Sequence, residues 1–360
     1  MKKKTDLRCL ASGPISAELK ARILEVAELE ANDDIYPLSS EVFVEKLKSC
    51  SAAICVFGEK IDAEVMKACP DLRIIANVAV GFDNIDVEEA TRRGIIVTNT
   101  PGVLDNATAD LAFTLLLSLS RRIVEADSYV REKKWERTED CLLAGRELSG
   151  KTLGILGMGR IGEAMARRGR GFGMKIVYTR RGDEEKDKFL QKELGATRLS
   201  LGELLKHSDF VSIHCPLNRS TRHLIGRAEL AQMKSTAMLI NTARGAIINE
   251  VELVKALQEG KIAGAGLDVF EFEPTVTEEL LTLKNVVLTP HIGSSTTETR
   301  NAMKALAVEN LVSTLSGILP KNAVNREVWP NFIARMDKVI VLDEDEDTAD
   351  NQHQLSMPWS

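Results

Sequence analysis

The stretch Lys151-Thr-Leu-Gly-Ile-Leu-Gly157-Met-Gly159-Arg-Ile-Gly162 constrains the fold more than any other part of the chain. Leu153 to Leu156 is a short apolar run, as expected of a strand buried on both faces. The glycines that follow fit G-x-G-x-x-G. In that pattern Gly157 permits a tight turn, Gly159 lets the backbone approach a pyrophosphate, and Gly162 lets a helix pack close to the strand. A helix from Ile161 to about Arg170 then directs its free N–H groups and dipole toward that phosphate. Strand, turn and helix occur in the order a dinucleotide site requires.

The turn lies near the middle of the 360 residues, so α/β structure is expected on both sides of it. Before it, short apolar strands at Leu7–Leu10, Ala52–Phe57, Leu72–Val80 and Ile95–Thr98 alternate with helical patterns at Ser16–Glu28, Ile61–Ala68 and Val87–Arg93, with Ser16 as an N-cap. Asn99-Thr-Pro-Gly102 breaks the pattern and marks a crossing between domains. Asp105 to Lys134 reads as one long helix, with Leu111, Leu115, Leu119 and Ile123 on one face. Trp135 follows in a polar loop, either packed locally or in contact with a partner or substrate.

Beyond the turn, strands at Lys175–Tyr178, Phe210–His214, Met238–Asn241, Gly264–Asp268 and Val286–Leu288 complete a second sheet. The expected architecture is two Rossmann-like, doubly wound parallel-sheet domains, the dinucleotide domain (100–290) inserted into a substrate domain (1–99 and 291–327). Residues 328–360 include the acidic block Asp343-Glu-Asp-Glu-Asp347 and read as a disordered tail.

The second strand of the dinucleotide unit indicates which nucleotide is bound. A site for NADH places an acid there to accept hydrogen bonds from the ribose 2′-hydroxyl. This strand ends Thr179-Arg180-Arg181. A carboxylate would repel a 2′-phosphate, whereas arginine grips one bidentately. NADPH is therefore the expected cofactor, with NADH as the alternative.

Three further segments place polar side chains after apolar strands, where open α/β sheets bind ligands. Arg244, in Asn241-Thr-Ala-Arg-Gly245, suits a carboxylate or 2-oxo acid. Asp268 and Glu273 lie in Gly266-Leu-Asp-Val-Phe-Glu-Phe-Glu-Pro274. His291 lies in Leu288-Thr-Pro-His-Ile-Gly-Ser294. Singly, each has a structural explanation: an ion pair, a surface acid, a satisfied histidine. Together they supply an anion binder, an acid and a proton carrier. The carboxylate of such a His–Glu pair orients the imidazole and favours its protonated form. No ligand spacing for a metal accompanies the pair and no G-x-S-x-G is present, so neither a metal centre nor a serine hydrolase is expected.

A net charge of −6 argues against a nucleic-acid or anionic-membrane partner. Met1-Lys-Lys-Lys4 leads into no apolar segment, and the six cysteines (9, 50, 55, 69, 141 and 215) form no C-x-x-C pair. A cytoplasmic protein with buried, reduced thiols is expected.

On these motifs, in this order and spacing, the chain resembles the D-isomer-specific 2-hydroxyacid dehydrogenases from its start to about Asn325, and within them the glyoxylate/hydroxypyruvate reductases. The resemblance implies a catalytic triad of Arg244, Glu273 and His291, and a substrate carboxylate held by the backbone amides of Val80 and Gly81, with Ser294 nearby. It implies cofactor contacts at Thr108, Arg160, Ile161, Thr179, Cys215, Pro216, Thr221, Thr242, Ala243, Asp268 and Gly293, besides the glycine turn. It also implies a homodimer. Phosphoglycerate dehydrogenases fit less well, because longer members carry a regulatory domain that has no counterpart here. Formate dehydrogenases fit less well because they have glutamine in place of Glu273. Two alternatives share the framework: a 2-ketogluconate reductase, and a dinucleotide-sensing corepressor whose fold reports redox state to partners.

Overall fold

The computed structural model describes residues 7–182 and 184–334, and the chain divides into two compact units at Val103/Leu104 and Thr299/Arg300. The expected boundaries at 99 and 290 are thus displaced. His291 and the turn around it belong to the same unit as Glu273.

The first unit is built in the order β1 (Arg8–Ala11), α1 (Ala17–Ile23), β2 (Glu28–Ala31), α2 (Ser40–Leu47), β3 (Ala52–Cys55), α3 (Ala63–Ala68), β4 (Ile74–Asn77), α4 (Val87–Arg93) and β5 (Ile96–Thr98). All neighbouring strands pair in parallel, in the order β2-β1-β3-β4-β5. Ser16, Ser39, Asp62 and Asp86 each accept a backbone N–H from the first turn of the helix they precede. Two elements lie outside the expected pattern. β2 is an edge strand of only four residues, Glu-Leu-Glu-Ala, whose alternation is too short and too poor in β-branched or aromatic residues to stand out. α2 carries only Phe43 and Leu47 on its buried face.

The exposed edge of β5 is covered by the chain's return. Val324 N–H donates to the Val97 carbonyl at 2.8 Å. Asn325 is buried; its Oδ1 accepts from Val97 N at 2.9 Å, and its Nδ2 donates to the Ile95 carbonyl at 2.8 Å and to Thr91 Oγ1 at 3.0 Å. Residues 328–334 also belong to this unit and correct the tail boundary expected at 328. Val328 and Phe332 are buried, and the Phe332 ring stacks on Trp329 with centroids 5.0 Å apart. The acidic block Asp343–Asp347 lies outside the described residues.

The second unit begins with α5 (Asp105–Ser120) and α6 (Ile123–Arg131). The single helix expected over 105–134 is therefore two. The break is at Arg122, whose φ of +54° is left-handed, while the Ser120 carbonyl accepts Arg146 N at 2.8 Å. Then follow β6 (Thr152–Leu156), α7 (Arg160–Gly171), β7 (Lys175–Thr179), α8 (Glu184–Leu194), β8 (Thr197–Arg198), α9 (Leu201–His207), β9 (Phe210–Ile213), α10 (Arg227–Leu230), β10 (Met238–Asn241), α11 (Glu250–Gln258), β11 (Gly264–Leu267), α12 (Glu278–Thr282) and β12 (Val286–Leu288); α13 (Thr297–Leu315) leads back into the first unit. The strand order is β12-β11-β10-β9-β6-β7-β8, with every pairing parallel.

Side-chain alternation buries both faces of this sheet. Leu153, Ile155 and Ile240 pack with α5 and α7, and Leu156, Leu239 and Leu267 with α9 and α11. The order reverses between β6 and β9, which is the topological switch point of the sheet. Of the cysteines, Cys9, Cys50, Cys55 and Cys69 are buried, Cys215 is half-buried and Cys141 is exposed, unlike the buried thiol expected. No helix among the described residues is long and apolar enough to cross a membrane.

Asn325→Ala leaves the Val97 N–H and the Ile95 carbonyl without partners inside the first unit. We expect a loss of about 2–4 kcal/mol, seen as a lower urea midpoint for that unit's transition. An unchanged midpoint would show that the returning segment contributes nothing to the sheet.

Candidate active site

The loops after β6, β7, β9, β10, β11 and β12 all leave the same, carboxyl edge of the second unit's parallel sheet. The glycine turn comes first. Gly157 has φ +99°, and a Cβ there would lie 2.6 Å from Cys215 N. A Cβ on Gly162 would lie 2.2 Å from the Gly157 carbonyl oxygen. Both positions therefore exclude a side chain for reasons internal to the fold. Gly159 differs: its φ is −85° and nothing lies within 4 Å of where a Cβ would be. The chain's own packing does not demand glycine there. Open space before the N-terminus of α7 is what a ligand phosphate approaching the backbone needs.

Gly157 abuts the β9 loop, which carries His214, Cys215, Pro216 and Thr221. Thr221 Oγ1 accepts from Asn218 N at 2.8 Å and donates to the Pro216 carbonyl at 2.7 Å, closing that loop on itself. Burial pushes the His214 imidazole down to about 3 and the Cys215 thiol up to about 11.

At the end of β7 the two arginines diverge. Arg180 Nη1 lies 3.8 Å from Asp187 Oδ1, and its Nε donates to the Arg181 carbonyl at 3.2 Å. Arg181 Nη2 instead bonds Ser220 Oγ in the β9 loop, linking the ends of β7 and β9, the strands on either side of β6. Asp187 and Ser220 carry no sequence motif that would mark them; the fold alone brings them to the arginines.

Arg244 follows β10. Asn241, fully buried, fixes its turn: Asn241 Nδ2 donates to the Arg244 carbonyl at 2.9 Å and Oδ1 accepts from Ala243 N at 3.0 Å. Thr242 Oγ1 is buried with no hydrogen-bond partner among the described residues, an orphan suited to a ligand. Gly245 allows the turn to sit directly on the next loop, since a Cβ there would lie 1.9 Å from the Phe270 carbonyl carbon.

The β11 and β12 loops bring Glu273 and His291 together. Glu273 Oε2 lies 2.7 Å from His291 Nδ1, and Oε1 accepts Phe270 N–H at 3.0 Å. Burial pushes the Glu273 carboxyl up, but the hydrogen bond and charge of His291, the Phe270 N–H and the Arg244 guanidinium outweigh it and hold the carboxyl below its ordinary range. An ionised carboxylate only accepts, so Nδ1 carries the proton toward it, on a ring about half exposed. His291 has φ +53°, a strained backbone for a non-glycine residue.

The restraint on that backbone is Asp268, which is fully buried. Its Oδ1 accepts from Thr289 Oγ1 at 2.7 Å and Ile292 N at 2.8 Å, its Oδ2 from Gly293 N at 2.8 Å, and its carbonyl from His291 N at 2.8 Å. Burial pushes the Asp268 carboxyl above its ordinary range against these bonds. Asp268 thus has a structural duty beyond the cofactor contact that the family resemblance implies. Thr108, in the first turn of α5, lies beside Gly293, its Cγ2 3.5 Å from the Cβ position there. Ser294 follows at the end of the loop, and Trp135 is 60% exposed.

Val80 and Gly81 belong to the first unit and follow β4. The Val80 carbonyl accepts Asn99 Nδ2 and the Gly81 carbonyl accepts Asn77 Nδ2, each at 2.8 Å, which fixes the peptide planes of that loop.

Comparison with known proteins adds to this geometry. The family model described as D-isomer specific 2-hydroxyacid dehydrogenase, NAD binding domain, matches residues 113–293. The chain is 51% identical over 310 residues to a glyoxylate reductase of Korarchaeum cryptofilum, covering 86% of this chain and 92% of that protein. It is 53% identical over 294 residues to a glyoxylate reductase of Thermococcus litoralis, covering 80% and 87%. Among solved structures, a glyoxylate reductase from Paecilomyes thermophila aligns with a TM-score of 0.80 at 37% identity, covering 89% of this chain and 99% of that one. An NADPH-dependent glyoxylate/hydroxypyruvate reductase from Sinorhizobium meliloti, in complex with NADP and malonate, aligns with a TM-score of 0.78 at 36% identity, covering 89% and 97%.

Asp268→Ala strands the N–H groups of Ile292 and Gly293 and releases the His291 backbone. A stability loss of about 2–5 kcal/mol is expected in urea unfolding, whereas Asp268→Asn, which keeps an acceptor, should lose less. Equal losses for the two variants would show that the oxygens are not what holds the loop.

Proposed function

The chain belongs to the D-isomer specific 2-hydroxyacid dehydrogenase family, and on that premise we propose that it reduces a small 2-oxo acid, glyoxylate or hydroxypyruvate, to the D-2-hydroxy acid with NADPH as reductant. The observation that carries the reading is the Glu273–His291 pair, 2.7 Å apart, on the sheet edge that also carries Arg244 and the glycine turn. The residues that would hold the cofactor suit it: the N-terminus of α7 behind the open Gly159 for the pyrophosphate, and the orphaned Thr242 hydroxyl for a polar group. When bound, the reduced nicotinamide supplies the hydride.

The protein's own residues do the rest. Arg244 pairs with the substrate carboxylate and leaves the 2-oxo group oriented. His291 gives the proton on Nε2 to the carbonyl oxygen as negative charge gathers there. Glu273 keeps the ring in the tautomer and orientation this step needs.

The preference for NADPH is supported by the absence of an acid at the end of β7 and by Arg181, which reaches from there to Ser220. Arg180 shares its charge with Asp187 and is the lesser contributor to 2′-phosphate binding in this reading. The homodimer is supported by the exposed Ile123 and Val124 of α6 and by Trp135.

Purified protein should oxidise NADPH in the presence of glyoxylate or hydroxypyruvate faster than with 2-ketogluconate. His291→Ala should lower kcat by about 10²–10⁴-fold while NADPH affinity holds; undiminished turnover would remove His291 from the chemistry. Glu273→Gln should lower kcat about 10–100-fold while NADPH affinity holds, because an amide no longer fixes the tautomer and orientation of the ring. On the acid side the sign is set by the lowered Glu273 carboxyl: the brace is complete above the ordinary glutamate value of about 4.3 and is lost only as pH falls through the lower folded value. Replacing Arg180 and Arg181 together with alanine should lower kcat/KM for NADPH about 10–100-fold and leave NADH nearly unchanged. A wild-type preference for NADH would reject the cofactor assignment.

A further inference from the structure

The loop that presents Glu273 carries a second glutamate–histidine pair two residues earlier. Glu271 is only 6% exposed at its side chain, and its Oε1 lies 2.5 Å from His223 Nε2 and 3.3 Å from Arg222 Nη2. Its Oε2 accepts the Glu250 N–H at 3.4 Å. Glu250, equally buried, answers in kind: Oε2 accepts the Glu271 N–H at 2.9 Å, and Oε1 bonds the Thr277 hydroxyl. Two buried acids thus bind each other's backbone amides and join the β11 loop to the start of α11. His223, like His291, has a left-handed backbone, with φ +52°. Its N–H donates to the Ala246 carbonyl at 2.8 Å, in the short 3-10 turn that begins at Gly245.

Two features couple this cluster to the reacting groups. The Phe270 N–H holds Glu273 Oε1, and the Phe270–Glu271 peptide is the surface on which Gly245, next to Arg244, is seated. A movement of Glu271 therefore moves the donor to Glu273 and the floor under the Arg244 turn together. Nothing in the reduction itself uses Glu271, yet two carboxylates are kept inside the protein with donors for each. Keeping two acids buried is costly unless their donors are fixed. We infer that Glu271, gripped by His223, Arg222 and the Glu250 amide, is the positioning residue for Glu273 and the Arg244 turn. It sets the geometry of the two groups without touching substrate.

The inference rests on the reading of Glu273 and His291 as reacting groups, so the experiment separates the two. Glu271→Ala should lower kcat for glyoxylate reduction about 10–100-fold, the scale of an ångström-sized misplacement, with the dissociation constant for NADPH within about twofold of wild type. His223→Ala, at a side chain 37% exposed, should lower kcat about three- to tenfold in the same sense. Glu271→Gln, which keeps an acceptor for His223, should restore part of the loss. In the Glu273→Gln background, adding Glu271→Ala should cost less than about threefold more, because residues that act as a unit are not additive. Independent, multiplicative losses would overturn the inference, as would wild-type kcat in both Glu271→Ala and His223→Ala. If Glu271→Ala fails to fold, the His223→Ala/Glu273→Gln cycle measures the same coupling, and multiplicative losses there overturn the inference equally. Full activity in Glu273→Gln alone would instead overturn the underlying reading, and the inference with it.

Discussion

The buried Asp268 carboxylate is the interaction on which the rest of the site depends. It ends a strand in which every residue is buried, and it gathers a hydroxyl and two backbone amides from a loop of the neighbouring strand. Those bonds offset part of the desolvation of the carboxylate, and they also over-determine a backbone that would otherwise relax. His291 is held at φ +53° between Asp268 and Gly293. Strain of that kind costs of order 1–3 kcal/mol and persists only where its surroundings leave no alternative. Remove the carboxylate and the histidine has no reason to face Glu273.

Parallel pairing explains why so many loops meet at one edge. A doubly wound sheet sends every strand in one direction, so each carboxyl end releases its loop on the same side, and the reversal of order between β6 and β9 leaves room there. This was legible in the sequence because buried parallel strands are short apolar runs. Polar residues placed directly after such runs stand out: Arg244 after Asn241, Asp268 after Leu267, His291 shortly after Leu288. The glycine turn was legible for the same reason, since Gly157 and Gly162 answer to backbone atoms lying 2.6 and 2.2 Å from a would-be Cβ. Local composition and tertiary demand coincide at these positions.

They part elsewhere, and each departure has a physical cause. The break between α5 and α6 carries neither glycine nor proline. It is imposed from outside by Arg146, which takes the Ser120 carbonyl, and Arg122 adopts the left-handed region with its guanidinium on Glu125 at 2.7 Å. β2 pairs along one edge only and spans four residues, so its Glu-Leu-Glu-Ala alternation is too short to give a signal. The folded chain runs past 328 because Val328 and Phe332, at helical spacing, carry it on; the five acids beyond residue 342 dominate the local composition and mask that signal. The two arginines after β7 read alike in sequence. Only the fold shows one turned to Asp187 and the other to Ser220.

The two glutamate–histidine pairs of the β11 loop show how one chemical unit takes on different work with its surroundings. In both, a carboxylate meets an imidazole whose residue is held in the left-handed region, and the acids stand two residues apart on one short loop. Around Glu271 the carboxylate is enclosed, its oxygens are shared among His223, Arg222 and a backbone amide, and the histidine is tied back to the Arg244 turn. That arrangement resists motion. Around Glu273 the carboxylate has one oxygen on backbone and one on His291, whose ring is half exposed; in the proposed reduction its far nitrogen exchanges the proton. That arrangement permits reaction at one atom while fixing all the others. An acid–base group must be loose toward its substrate and rigid toward its scaffold. Here the rigidity is supplied from both ends of the pair: Asp268 acts on the histidine, and Glu271 acts on the peptide that orients the glutamate.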